Sequence, residues 1–161
     1  MGLPATPQGP APWDPRLRVE PPSKVFTVEQ ADALLPDLEQ AFQEMDLRST
    51  RLRETTELVQ DLEEYWGNRI GDLGCPDRGR YATLVRERDD LQVSLSEDIA
   101  RVHALGVLLK DFQSGLVDFY GIIDGRLVFL CWRRGEPSVE FYHTLEGGFA
   151  GRKPLAPLPR K

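Results

Sequence analysis

The sequence predicts an α+β fold: a long antiparallel helical hairpin packed with a three-stranded antiparallel β-meander. Three observations predict it. Apolar residues recur at helical spacing between Val28 and Lys110, the period shortens to that of strands after Gly115, and Asp124-Gly125 sits between two runs rich in β-branched and aromatic residues. With 161 residues, 40% hydrophobic and 29% charged, the chain suits one core, expected over residues 25–155.

Residues 1–24 hold seven of the thirteen prolines and few large apolar side chains, so they are expected to form a disordered arm. Pro4, Pro7 and Pro10 alternate with small residues, the spacing of a polyproline ligand, but no organised basic anchor flanks them, and a plain extension is the simpler reading. Residues 156–161 are expected to be a second tail, proline-rich and basic.

The hairpin is assigned to residues 28–110. Thr27 with Gln30 forms a capping box, and Phe26 precedes the cap as a hydrophobic staple. Pro36 lacks an amide hydrogen and disfavours helical geometry at Leu35, so a short first helix or a kink is expected there. Leu38, Met45, Leu52, Val59 and Trp66 then recur every seven residues, widened by Leu35, Phe42, Leu58, Leu62 and Tyr65 and thinned at Ser49 and Thr56. Gly67, Gly71, Gly74 and Pro76 mark the connection. The second helix reads from Tyr81 through Leu84, Leu91, Leu95, Ile99, Val102 and Leu105 to Leu109. Arg88 and Asp98 fall near the seam, while Glu44–Arg48 and Glu97–Arg101 are spaced as solvent-facing pairs. A seam this narrow leaves apolar edges, around Met45 and Leu52 in particular, to be packed by the sheet or by a second copy of the chain.

The meander is assigned to residues 116–143, with strands Leu116–Ile123, Arg126–Trp132 and Ser138–His143. A two-residue Asp-Gly turn sets Ile123 opposite Arg126, which places Tyr120 opposite Phe129 and Asp118 opposite Cys131 on one face. Val117, Phe119, Val128, Leu130 and Trp132 share the other.

Charge narrows the function classes. The net charge is −6, and residues 27–110 carry 18 acidic against 10 basic side chains. Nucleic acid is therefore an unexpected partner, with only Arg133, Arg134, Arg152, Lys153, Arg160 and Lys161 to offer a basic face. No window approaches the roughly 18 apolar residues of a membrane span. Residues 1–24 lack the basic start and apolar centre of a secretory signal. Two cysteines, Cys75 and Cys131, are too few for a disulfide scaffold, so reduced thiols and a cytoplasmic location are expected.

Several segments resemble the bacterial domain-of-unknown-function family 2203. They are Phe26-Thr27-Val28-Glu29-Gln30-Ala31-Asp32-Ala33-Leu34-Leu35-Pro36, then Gly115-Leu116-Val117-Asp118-Phe119, then Leu130-Cys131-Trp132-Arg133-Arg134-Gly135-Glu136-Pro137, then Tyr142-His143 and Gly148-Phe149-Ala150-Gly151-Arg152. The resemblance covers about residues 26–155 and implies a fold and a cytoplasmic bacterial origin, but no reaction. Two positions depart from the family pattern. Asp32 stands where it usually reads Asn, and Phe119-Tyr120 replaces Phe-Pro, which removes the proline that would impose a turn after Asp118.

The polar residues in those segments are Asp118, Cys131, Glu136, His143 and Arg152, and with Trp132 they form a candidate binding cluster if the meander folds as drawn. Cys131, His143 and a carboxylate from Asp118 or Glu136 have the ligand types of a zinc site, without the close CxxC or HExxH spacing of the strong zinc signatures. Cys131 with His143 would make a nucleophile and base, against the usual inertness of a mid-strand cysteine. The plainer reading is structural: His143 satisfies a carbonyl or carboxylate, and Asp118 pairs with Arg152 to fasten the tail. Gly147, Gly148, Gly151, Arg152 and Lys153 suit a small anion, although GxxxxGK[ST] is absent. Trp132 and Tyr142 have the spacing of a stacking pair or of core. The function expected is that of a non-enzymatic protein-interaction or regulatory module, homodimeric and without a cofactor. The alternative is a small enzyme or metal-binding sensor built on Cys131, Glu136, His143 and Arg152.

Overall fold

The computed structural model describes residues 24–155, so the expectations for the two tails lie outside the described residues. The elements run α1 (Val28–Trp66), α2 (Arg78–Ala104), β1 (Val107–Asp111), β2 (Leu116–Ile123), β3 (Arg126–Arg133), β4 (Phe141–His143) and β5 (Lys153–Pro154), with single 3-10 turns at Gly67–Gly71 and Phe149–Gly151. The class is α+β, but the sheet has five antiparallel strands in the order β1-β2-β3-β4-β5 where three were expected. The chain divides into two compact units. Among the described residues, one holds 24–35 together with 105–155, and the other holds 36–104.

In the sheet unit, the capping box forms as its chemistry requires. Gln30 N–H donates to Thr27 Oγ1 at 3.1 Å, and Thr27 N–H donates to Gln30 Oε1 at 3.0 Å, satisfying two donors that the first helical turn leaves open. Phe26 sets its ring edge-on to Phe119, centroids 5.2 Å apart, and its amide donates to the Tyr120 carbonyl at 2.7 Å. Asp32 accepts from the Val139 amide at 2.7 Å through Oδ1, an atom that asparagine also carries, so the departure at this position keeps the bond. Val117, Phe119, Val128, Leu130 and Trp132 are buried together on one face of the sheet. Each fully buried large apolar side chain stabilises by about 1.5–3 kcal/mol.

The central register is the expected one: Ile123↔Arg126, Tyr120↔Phe129 and Asp118↔Cys131. Asp124 and Gly125 make the turn at φ of 50° and 76°. β2 runs unbroken through Phe119 and Tyr120, as it can with no proline there. The third expected strand shortens to Phe141–His143, because Ser138 to Glu140 follow a turn rather than pair with β3.

The hairpin is shorter than the sequence spacing predicts, ending at residue 104 and not 110. α2 ends at Ala104, Gly106 takes φ of +88°, and residues from Val107 pair as a strand with β2. Leu105 is consequently exposed, and Leu109 sits in a strand opposite Val117. Pro36 does not break α1, which continues helical on both sides; proline forgoes only the one backbone hydrogen bond that its missing N–H would have donated, and the division between the two units falls at that residue.

In the hairpin unit, Leu38, Phe42, Met45 and Val59 have no exposed surface, whereas Leu52 and Trp66 are half-buried. Met45 is thus core, and the apolar edge expected around it for a second copy is already filled. Tyr65, expected on the same stripe, is instead exposed and packs edge-on against Trp66 at 5.0 Å. Val59, Leu62 and Leu84 form the far core, with Leu58, Trp66, Ile70, Tyr81 and Val85 packed around them. Trp66 Nε1 donates to Asp77 at 2.8 Å and Tyr81 Oη donates to Glu63 at 2.9 Å, closing that end. Asp98 is buried and accepts from both Arg48 and Arg101, so these arginines turn inward to one carboxylate instead of pairing with Glu44 and Glu97.

Candidate functional site

The two-residue turn after Ile123 fixes Asp118 directly opposite Cys131, and alternation along β3 then puts Phe129 on the same face. β4 pairs Phe129 with His143 and Cys131 with Phe141, which brings the imidazole onto that face beside the carboxylate and the thiol. Three neighbouring strands therefore each supply one polar side chain to a single patch. Asp118 is 2% exposed, Cys131 0% and His143 3%, so the patch is closed to solvent.

The hydrogen bonds set the chemistry of the patch. His143 Nδ1 lies 2.7 Å from the Thr144 carbonyl, which can only accept, so Nδ1 carries the proton and donates. Nε2 then faces Asp118, 3.1 Å from Oδ1 and 3.1 Å from Oδ2. The Cys131 sulfur lies within 4.8 Å of a carboxylate oxygen of the same Asp118. Burial first, and the Asp118 charge second, push this thiol up to about 12, and Arg152 opposes the shift only in part. Such a thiol is a poor nucleophile near neutral pH.

Aromatic rings surround the patch. Phe129 packs against His143 with centroids 5.3 Å apart and against Tyr120 at 4.7 Å, and Lys110 Nζ stands 5.0 Å from the Phe129 ring centre. The Tyr120 hydroxyl is buried with no hydrogen-bond partner among the described residues; burial and the charge of Asp118 raise its pKa.

Glu136 and Arg152 form a second arrangement. Arg152 Nη2 donates to both Glu136 oxygens at 2.7 Å and to the Cys131 carbonyl at 3.4 Å, and its guanidinium lies between Phe141 and Phe149, 4.1 and 4.8 Å from their ring centres. The expected pairing of Asp118 with Arg152 is not formed: Glu136 lies on the turn that faces the C-terminal segment, and Asp118 is taken by His143. Glu136 likewise stays out of the ligand-type cluster, which consists of Asp118, Cys131 and His143. Trp132 is core, with Nε1 donating to the Glu136 carbonyl at 2.9 Å. Of the glycine amides expected to face an anion, those of Gly147 and Gly151 donate instead to the Thr144 and Gly148 carbonyls, and the Arg152 side chain is held by Glu136.

Sequence reasoning missed β1 and β5, and it left open whether Asp118 or Glu136 is the carboxylate beside His143, which the structure gives as Asp118. Gly106 and Ser114-Gly115, the positions where α2 stops and the β1–β2 turn closes, were the available signals for β1. No local signal marks the Asp118–His143 contact, which joins residues 25 positions apart.

A helical hairpin unit and an antiparallel sheet unit bearing a closed aspartate–cysteine–histidine cluster define an α+β protein whose polar centre is internal. Among the described residues no helix is long and apolar enough to cross a membrane. The family model of an uncharacterized conserved protein, DUF2203, matches residues 24–155, and the chain belongs to that family. No curated protein and no solved structure matches it.

Proposed function

We propose that this protein is a non-enzymatic interaction or regulatory module of the bacterial cytoplasm, acting as a homodimer. The observation that carries the reading is the closure of the polar cluster. Cys131 and His143 would have to serve as nucleophile and base in the enzymatic alternative, yet both are buried and both already face internal partners. Glu136 and Arg152, the other residues of that alternative, are spent on each other. Both cysteines are free, which suits a reducing compartment.

A surface for a second copy is offered by the hairpin unit. Val93 is 58% exposed on α2, where Asp89, Gln92, Ser96, Glu97 and Ala100 recur at steps of three and four residues and line a shallow groove of about 470 Å³. Leu47 on α1 is also exposed, at 74%. Sedimentation velocity over a wide concentration range tests the reading. The wild type is expected to sediment as a dimer and Val93→Glu as a folded monomer, since an exposed position tolerates the charge. A wild type that stays monomeric throughout, or a dimer untouched by Val93→Glu, overturns the assignment of this surface.

A further inference from the structure

The geometry points to a metal site at Asp118, Cys131 and His143, one that takes a divalent ion of the zinc type. This goes beyond the interaction reading and stands on the sheet unit alone.

Four features converge on it. The three side chains offer a carboxylate oxygen, a sulfur and an imidazole nitrogen that all lie within 4.8 Å of one another, and a tetrahedral zinc site needs donor separations of roughly 3.3–3.8 Å, so only a small inward movement is required. The Nε2–Asp118 separations of 3.1 Å are already that short. The tautomer is the one a ligand needs: with Nδ1–H held by the Thr144 carbonyl, Nε2 is the atom turned into the cluster, and a backbone carbonyl on the far nitrogen is the usual orienting partner of a metal-bound histidine. Each donor stands on a different paired strand, β2, β3 and β4, so the backbone holds them in place before any ion arrives.

Charge makes the same case. Two potential anions, the Asp118 carboxylate and the Cys131 thiolate, are buried beside one imidazole, and burying charge without compensation is costly. A divalent ion neutralises both, and any proton it displaces from a donor atom leaves to solvent. The three residues supply three of the four donors of a tetrahedral site, and a water carried in with the ion supplies the fourth. Thiolate together with imidazole selects zinc and its spectroscopic surrogate cobalt(II) over magnesium or calcium.

The test unfolds the full chain in denaturant with chelator, removes both, and refolds it with cobalt(II) or zinc. One cobalt ion per chain by native mass spectrometry, with a thiolate-to-cobalt charge-transfer band and a melting temperature raised above the metal-free protein, is the expected result. The band should vanish in Cys131→Ser, whose hydroxyl nearly matches the thiol in size, while the same band should survive in Cys75→Ser. Asp118→Asn keeps the shape of the carboxylate and should weaken cobalt binding at least tenfold, so the site can be judged even if Cys131→Ser fails to fold. Natively folded protein that retains no ion after refolding with excess cobalt or zinc overturns the proposal, as does a band that persists without Cys131.

Discussion

Cys131 should be invisible to alkylating reagents for as long as the protein stays folded. An ordinary thiol with a pKa of 9.0 is about one-tenth ionised at pH 8, whereas one pushed up to about 12 is ionised in about one molecule in ten thousand, so the reactive thiolate is roughly a thousandfold scarcer. Full burial adds a steric barrier to this factor. Cys75, half-buried at the tip of the hairpin unit, is an internal control. The assay is a time course of iodoacetamide labelling in chelator-treated protein, read residue by residue by peptide mass spectrometry, in native buffer and in guanidinium. Cys75 should label first, Cys131 should follow at least about a thousandfold more slowly, and the two should react alike once the chain is unfolded. Native labelling of Cys131 within about tenfold of Cys75 would refute the closure argument and restore the cysteine as a nucleophile. The same shift predicts a pH dependence. The unfolded chain ionises this thiol from 9.0 upward while the folded chain keeps its proton, so the thiol's contribution to stability is complete below about pH 9 and is lost as pH rises towards about 12. The slope cannot exceed about 1.4 kcal/mol per pH unit, and it should disappear from urea titrations of Cys131→Ser.

Other substitutions probe the frame that holds the cluster. A Cβ on Gly121 would stand 2.8 Å from Leu130 Cγ, so Gly121→Ala should destabilise by about 1–3 kcal/mol in urea unfolding. Met45→Ala removes a side chain with no exposed surface and should cost about 2–5 kcal/mol; a change near zero would mean that Met45 lies at a surface and would return it to the dimer interface. Arg152→Lys keeps a charge but cannot reproduce both the Glu136 contact and the stack between Phe141 and Phe149. It should lower stability by about 1–2 kcal/mol and speed hydrogen exchange at Leu155, whose amide donates to Glu140 beside β5.

What was legible in the sequence is what short-range stereochemistry dictates. Thr27 and Gln30 cap α1 because both donors and both acceptors lie within one turn. Asp118 faces Cys131 because a two-residue Asp-Gly turn and a period of two leave no other register for those runs. Once that register was read, the carboxylate and the thiol of the cluster followed from it. The two ends of the sheet were less visible. Val107 to Asp111 carries on the helical spacing of α2 well enough to be taken for its last turn, and only pairing with β2 decides otherwise. Pro36 shows the converse, a local preference for interruption that the rest of α1 overrides.

The tertiary structure alone decided which charges meet. Arg48 has Glu44 one turn away, yet it reaches Asp98 on the other helix, because a buried carboxylate gains more from a cation than an exposed one does; Arg101, three residues on from Asp98, joins it from the same helix. Asp118 was matched with Arg152 by charge, but Glu136 holds that arginine and the imidazole of His143 reaches the carboxylate instead. The Arg48–Asp98, Asp118–His143 and Glu136–Arg152 contacts join residues 50, 25 and 16 positions apart, where proximity follows from how elements pair and how loops return, and no local rule encodes it. The residue types of the cluster belong to the sequence; its closure, its tautomer and its membership belong to the fold.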